Sequence, residues 1–325
     1  MSEWRLSVAA YGGPEAIARE DLGALQPGPG EVLVRHRAIG VNFIDTYHRT
    51  GLYPVPLPAG LGVEAAGVVE ALGEGVQGLR IGERVAYVTR VPGSYATART
   101  VPAGELISLP DSVTDDLAAA ALLKGLTAEA LIFRCARVDK GATALVHAAA
   151  GGVGQILVQW LHAVGVTVIA HCGSVEKAAI ARSMGADHAL HCGFDTLAEE
   201  VRALTNGRGA DVSFDGVGAE SWTASLDALA RRGMMVTFGN ASGPVPPFSP
   251  LELSRRGSLF VSRPTLFDYI VTPEERQVAA DRLFTALSDG TVKITIGKRF
   301  ALIDAADAHR ALEARQTTGS TLLIP

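Results

Sequence analysis

The residues best suited to chemistry are seven in a row, Ala148-Ala149-Ala150-Gly151-Gly152-Val153-Gly154. They follow the apolar run TALVHA and open the helical pattern VGQILVQWLHAVG. At such a turn Gly151 lets backbone approach a pyrophosphate, and Gly154 lets the helix pack tightly on the strand. The helix N-terminus offers N–H groups and a partial positive charge to the anion. Ala149 stands where the usual fingerprint has its first glycine. Glycines alone would mark no more than a turn; the strand before and the helix after make this a dinucleotide-binding loop. Which dinucleotide is decided by the next strand, VTVIAH. NAD enzymes place Asp or Glu about 20 residues further on, to hold the ribose 2′-OH. Here the strand runs into His171-Cys172-Gly173-Ser174 with no acid, and Lys177 follows within one helical turn. A small uncharged corner with a lysine suits a 2′-phosphate. The plainer alternative is that Lys177 is a solvated helix lysine.

Metal and disulfide chemistry find little support. The three cysteines, Cys135, Cys172 and Cys192, form no Cys-x-x-Cys pair and cannot make a four-cysteine zinc site. The eight histidines show no spaced ligand pair. His171 and His191 are expected at neighbouring strand ends and read as surface or hydrogen-bonded groups.

Two regions must position these residues. Residues 1 to about 123 read as mostly strand: EVLVRHRAIGV, VEAAGVVEAL and ERVAYV are separated by QPGPG, YPVPLPAGLG and VPGS, the texture of a barrel-like β domain. Near Lys124 strands begin to alternate with helices: TALVHA, VGQILVQWLHAVG, VTVIAH, VEKAAIARSMG, DVSFD, ESWTASLDALARRG and MMVTFGN, then strand-like GSLFVS at 257–262. This alternation implies a parallel sheet with helices on both faces, a doubly wound domain. The remainder reads as helix TPEERQVAADRLFTALSDG, strand VKITIG, helix IDAADAHRALEAR and strand TLLIP.

Composition sets the outer limits. With 325 residues, 48% of them hydrophobic, the chain has material for about two domains. A net charge of −5 lacks the basic bias of a nucleic-acid binder. No apolar run approaches a membrane span, and the first residues lack a signal-peptide core. A soluble, cytoplasmic protein with neither nucleic acid nor membrane as partner is the expectation.

Several blocks, in this order, resemble zinc-free medium-chain dehydrogenase/reductases, the bacterial quinone oxidoreductases related to ζ-crystallin. They are Gly40-Val41-Asn42-Phe43-Ile44-Asp45-Thr46-Tyr47 with Gly51-Leu52-Tyr53-Pro54, then Gly60-Leu61-Gly62-Val63-Glu64-Ala65-Ala66-Gly67, and Leu123-Lys124-Gly125-Leu126-Thr127. The glycine loop, Phe238-Gly239-Asn240-Ala241-Ser242-Gly243 and Gly319 to Pro325 complete the set. The resemblance implies an α/β chain: a GroES-like catalytic β domain from 1–123 and 267–325, and a Rossmann-type doubly wound parallel-sheet domain at 124–266, with the active site in the cleft. It also implies a homodimer whose parallel sheets join edge to edge at GSLFVS.

Zinc alcohol dehydrogenases of this superfamily carry Cys-His-x-Asp where this chain has Asn42-Phe43-Ile44-Asp45, and Gly-His-Glu where it has Gly62-Val63-Glu64. Asn42, Asp45 and Glu64 offer only oxygen, a poor zinc set; no metal is expected. Without that Lewis acid, reduction of an electron-poor acceptor is the chemistry that remains. The resemblance therefore implies NADPH-dependent quinone reduction. Tyr47 and Tyr53 would donate hydrogen bonds to the quinone oxygen, or simply wall the site. Asn42 and Asp45 would orient the nicotinamide end.

The implied cofactor contacts are residues 42–47 (Asn42, Phe43, Ile44, Asp45, Thr46, Tyr47) and Thr127 at the nicotinamide, and Gly151, Gly152, Val153 and Gly154 at the pyrophosphate. Gly173, Ser174 and Lys177 would hold the adenosine phosphate, with Cys192 on the adenine side. Val217, the run Gly239, Asn240, Ala241, Ser242, Gly243, Pro244, and the turn Pro264-Thr265-Leu266 would line the groove, and Arg315 would reach the 2′-phosphate. Relatives often have tyrosine at the positions of Cys192 and Ala130. Reduction of activated alkenes, and a non-catalytic RNA-binding or lens-type role, are the competing readings.

Overall fold

A computed structural model describes residues 3–314 and 316–325. Contacts divide the chain into two units.

The first unit takes the chain to Leu126 and its later returns, 270–288 and 294–325. It opens with β1 (Glu3–Val8), β2 (Ile17–Gly23) and β3 (Glu31–Val41). Helix α1 (Phe43–Thr50) follows, then β4 (Ala59–Gly60), β5 (Glu64–Leu72), β6 (Arg84–Val88), β7 (Ala98–Pro102), β8 (Leu106–Ser108) and α2 (Asp115–Glu129). Within this mostly stranded region the sequence does not announce α1. The eight residues FIDTYHRT close a helix because the Asp45 carboxylate accepts the Asn42 N–H (2.9 Å) and Gly51, at φ +79°, ends it in the left-handed region. Apolar alternation on β3 and β5 feeds one core around Val32, Val34, Ile39, Ala65, Val69, Val85 and Tyr87.

The second unit, from Thr127 to Tyr269 with 289–293, is the parallel one. Its elements are β9 (Thr143–His147), α3 (Gly152–Ala163), β10 (Thr167–His171), α4 (Val175–Ser183), β11 (His188–Leu190) and α5 (Leu197–Leu204). Next come β12 (Ala210–Asp215), α6 (Trp222–Asp227), β13 (Leu229–Thr237), α7 (Leu251–Arg255) and β14 (Phe260–Ser262). All pairings are parallel, in the order β11-β10-β9-β12-β13-β14. Direction of winding reverses between β9 and β12, so the carboxyl ends of these two strands form the crevice where ligands of such sheets bind. Strand β9 is buried along its whole length, as a central parallel strand must be. ESWTASLDALARRG does not form one helix: α6 stops at Asp227, and Leu229 already pairs with Ala210 in β13.

The chain then returns to the first unit with α8 (Pro273–Ser288), β15 (Ile296–Ala301), α9 (Ala305–Glu313) and β16 (Ser320–Ile324). Strand VKITIG begins later than its sequence suggests, at Ile296. Strand β16 inserts between β15 and β3, so the last residues complete a seven-stranded sheet. No described helix is long and apolar enough to cross a membrane.

Candidate active site

In the first unit the motif residues gather at the end of β3 and along α1. Glu64, fully buried on β5, is held by three donors. Asn42 Nδ2 donates to Oε1 (2.7 Å), Lys124 Nζ to the same oxygen (3.3 Å), and the Leu123 N–H to Oε2 (2.7 Å). Gly40 is required beside it: a Cβ there would overlap Glu64 Oε1 and the Ala119 carbonyl. Lys124 lies in the Leu123–Thr127 motif, where residue type alone assigns it no role; the structure makes it the cation of this buried pair.

Asp45 faces inward and is wholly buried. Its Oδ2 accepts from the Asn42 N–H and from the Tyr95 hydroxyl (2.9 Å), while Oδ1 has no hydrogen-bond partner among the described residues. Behind Tyr95 lie His309 and Arg49. Arg49 can only donate, so His309 Nδ1 accepts from it (3.0 Å). The neutral ring then carries its hydrogen on Nε2 and donates to the Tyr95 oxygen (3.0 Å). Burial, reinforced by the Arg49 charge, pushes His309 down to about 3, which keeps the ring neutral. Glu313 fixes Arg49 from the other side at 2.5 Å. Tyr95, Arg49 and His309 were not singled out from sequence. A histidine on the apolar face of the pattern AADAHRALE was the available signal.

Tyr47 is nearly buried and Tyr53 half-buried. Their rings meet edge to face with centroids 5.1 Å apart, and the Tyr53 N–H donates to the Tyr47 carbonyl (3.1 Å). Phe43 and Ile44 are half-buried, and the Thr46 hydroxyl is turned to the Phe43 carbonyl (2.7 Å).

In the second unit the glycine loop follows β9, with Gly151 in extended backbone as the N-cap of α3. A Cβ on Gly154 would overlap the Ala148 carbonyl and come within 2.8 Å of Ala149 Cα, which demonstrates the close helix–strand packing. The first-turn N–H groups of α3, from Gly152 and Val153 onward, have no partner within the helix and are suited to an anion. At the end of β10, Gly173 is exposed with nothing within 4 Å of a Cβ, and Ser174 caps α4 by accepting the Lys177 N–H (3.2 Å). Lys177 and Cys192 are half-buried. Val217 and the Gly239–Pro244 run are brought together: both the N–H (2.8 Å) and the hydroxyl (2.9 Å) of Ser242 donate to the Val217 carbonyl. Pro264-Thr265-Leu266 leads into a short 3-10 turn, Leu266–Asp268. Thr127 opens the second unit, half-buried on α2. Arg315 lies outside the described residues.

Comparison with known proteins defines the class. Residues 28–111 match the family described as the alcohol dehydrogenase GroES-like domain, and residues 152–282 the family described as zinc-binding dehydrogenase. The chain is 48% identical to a quinone oxidoreductase of Pseudomonas aeruginosa, over 99% of both chains. It is 42% identical to a 2-haloacrylate reductase of a Burkholderia species, over 97% of this chain and 96% of the other. The solved structure of an Escherichia coli quinone oxidoreductase complexed with NADPH superposes with a TM-score of 0.96 at 40% identity, covering 99% and 100% of the two chains. The fold is thus that of a dehydrogenase with a GroES-like and a Rossmann-type part. The chain belongs to the quinone oxidoreductases of the medium-chain dehydrogenase/reductase family, and it is an enzyme.

Burial gives Asp45 a testable signature. Burial above all, with the nearby Glu64 charge, raises its carboxyl to about 7 against the lowering by its bonds from Asn42 and Tyr95. In the unfolded chain it titrates near about 4. The folded state therefore holds the proton more tightly. This contribution to stability is complete below about pH 4 and is lost as pH rises through 7. Asp45→Asn keeps the accepting oxygen and removes the charge. It should stabilise the protein by about 2–4 kcal/mol at pH 8 and by almost nothing at pH 4. Thermal melts at the two pH values measure this; equal shifts at both would show a carboxylate ionised throughout.

Proposed function

We propose that this enzyme is an NADPH-dependent, zinc-independent quinone reductase. The observation that carries the reading is how the polar groups at the former metal positions are used. Glu64 is committed to Asn42, Lys124 and the Leu123 N–H, and Asp45 Oδ2 to Tyr95 and the Asn42 N–H. With Phe43 and Val63 in place of ligating side chains, the set presents no thiolate or imidazole and has an ammonium in its midst, which does not fit a zinc ion.

The second unit fits a dinucleotide. The Gly151–Gly154 turn would hold the pyrophosphate at the N-terminus of α3, and the corner Gly173, Ser174 and Lys177 would take the adenosine 2′-phosphate, with no carboxylate on the last residues of the strand; Glu176, in the first turn of α4, is bonded to the Ser174 side chain. Val217, Gly239–Pro244 and the turn at Pro264–Leu266 would line the cofactor. NADPH, when bound, supplies a hydride. Tyr47 and Tyr53 would donate hydrogen bonds to the quinone oxygen as negative charge develops on it, and their rings would exclude water from it. Asn42, pinned by Glu64, would orient the nicotinamide-side backbone of residues 42–47.

A second reading, reduction of activated alkenes, draws support from the likeness to a 2-haloacrylate reductase. Both acceptors take hydride at an electron-poor conjugated carbon or oxygen. One assay separates the readings: consumption of NADPH and NADH by chelator-treated enzyme with a panel of benzoquinones, naphthoquinones and enones. Quinones should turn over fastest, with NADPH preferred and the rate unchanged by chelation. Faster turnover of enones would move the assignment to alkene reduction, and a rate restored only by zinc would end the zinc-free reading.

Tyr47→Phe and Tyr53→Phe should each lower turnover about 10- to 150-fold, the worth of roughly 1.5–3 kcal/mol in one hydrogen bond to developing charge, with NADPH affinity little changed. Full rates in both variants and in the double variant would reduce the tyrosines to walls.

The reading includes a homodimer joined along β14. That strand is an edge of the six-stranded sheet, and Phe260 on it is 61% exposed. An apolar, unprotected edge is an invitation to pairing with a second copy. Sedimentation should find a dimer, and Phe260→Asp should dissociate it. A monomeric wild-type protein would overturn the assembly.

A further inference from the structure

The carboxyl ends of β9, β10 and β12 carry His147, His171 and Asp215, all buried. Asp215 accepts from the N–H groups of Val217 (2.7 Å) and Gly218 (3.2 Å), and from the hydroxyls of Ser221 (2.6 Å) and Ser225 (2.8 Å). With its hydrogen given to the carboxylate, the Ser225 oxygen must accept from His147 Nε2 (2.8 Å). At the far end His171 Nε2 lies 3.0 Å from the Cys192 carbonyl, which can only accept. Between the rings the two Nδ1 atoms face each other at 3.3 Å.

Hydrogen counting exposes a deficit. The chain Asp215–Ser225–His147–His171–Cys192 has four contacts, each needing one hydrogen. Ser225 supplies one, and two neutral imidazoles supply one each. One contact is left without, and a single added proton, shared between the Nδ1 atoms, satisfies all four. Burial opposes that proton: it pushes His147 down to about 4, and it also lowers His171. Asp215 pulls both upward, while each ring feels a further imidazole, His171 for His147 and His191 for His171. Phe194 covers the pair, with its ring centroid 5.1 Å from His171 and 6.0 Å from His147. Further ionisable groups around it are Cys172, Lys177 and Glu176 (bonded to the Ser174 side chain) on the β10–α4 side, and His191, Cys192, Asp195 and Glu200 after β11. With both rings neutral and donating from Nε2, the two Nδ1 lone pairs face each other.

We infer that His147 and His171 form a one-proton site beneath the adenosine-phosphate corner, and that filling it is coupled to binding of the NADPH 2′-phosphate. This rests on the NADPH reading above. His171 directly precedes Cys172-Gly173-Ser174, so a positive charge on the pair stands at the strand end where NAD enzymes place a carboxylate. A phosphate dianion there favours the charged pair, and the proton comes from solvent. By linkage, NADPH binding takes up a proton through this pair, and its advantage over NADH falls as pH rises, at most about tenfold per pH unit.

Calorimetry in buffers of different ionisation enthalpy counts the protons. The phosphate itself titrates near about pH 6, so the quantity of interest is wild type minus His171→Gln, a variant whose amide can still donate to the Cys192 carbonyl. Wild type should take up more protons than the variant on binding NADPH at pH 7, and the two should agree for NADH. In the cofactor-free protein, ¹⁵N spectra of labelled histidines should show His147 and His171 titrating together as one proton below neutrality. Ser225→Ala, which keeps both rings and severs them from Asp215, should lower that midpoint and serves should the glutamine variant not fold. Tight NADPH binding with equal proton counts in wild type and variant, or independent titration of the two rings, would overturn the coupling. Absence of NADPH binding would instead overturn the cofactor reading, with the ¹⁵N titration still deciding whether the one-proton site exists.

Discussion

A carboxylate taken wholly out of water must be surrounded by donors, and the arrangement of the first unit follows from meeting that need at Glu64. Its three donors come from the end of β3 (Asn42) and from α2 (Leu123 and Lys124), so one side chain on β5 ties together a sheet and the helix that leads toward the second unit. Removing one partner from such a group leaves a buried charge uncompensated, typically a larger penalty than the pair's own net worth. Asn42 then starts α1, and α1 carries Asp45, Tyr47 and, past its end, Tyr53. The tyrosines stand where they do because a buried acid on the neighbouring strand fixes the N-cap of the helix that carries Tyr47 and leads to Tyr53.

Asp45 repeats the rule less completely. Arg49 has no choice of direction, so it sets the tautomer of His309, and His309 sets the direction of the Tyr95 hydroxyl. The chain ends on one oxygen of Asp45 and leaves the other without a partner among the described residues. In the second unit Asp215 is met by four donors, and the shortage appears further along, between two imidazoles. The chain of contacts from β12 through Ser225 to β9 and β10 brings the deficit to the carboxyl end of the sheet, next to the exposed Gly173.

Much was legible in the sequence because it is local. The strand–glycine–helix order around Gly151, the absence of an acid after His171, and the missing thiolate and imidazole at Asn42, Phe43 and Val63 depend on neighbours in the chain. Where local pattern misled, a long-range contact had won. Leu229-Ala230-Arg231-Arg232-Gly233 carries good helix formers, yet Leu229 pairs with Ala210 and the segment becomes strand; Arg232 takes a left-handed turn (φ +63°) on the way. FIDTYHRT is short for an independent helix and sits among strands, but the Asp45-to-Asn42 bond and the Gly51 stop close it.

By itself the sequence determined the alternation of elements, the class of cofactor loop and the loss of zinc-type ligands, since residue type and spacing carry those directly. It could not determine that Lys124 and Asn42 share Glu64, that Arg49 orients His309 from 260 positions away, or that His147 meets His171 rather than His191 doing so. Strand order decides those. β10 lies between β9 and β11 and could have offered His171 either neighbour; the register that sets His171 beside His147, and the turn that gives the Cys192 carbonyl to its other nitrogen, exist only once the sheet has formed. Hydrogen-bond direction and proton count belong to closed networks, and a network spanning three strands closes only in the tertiary structure.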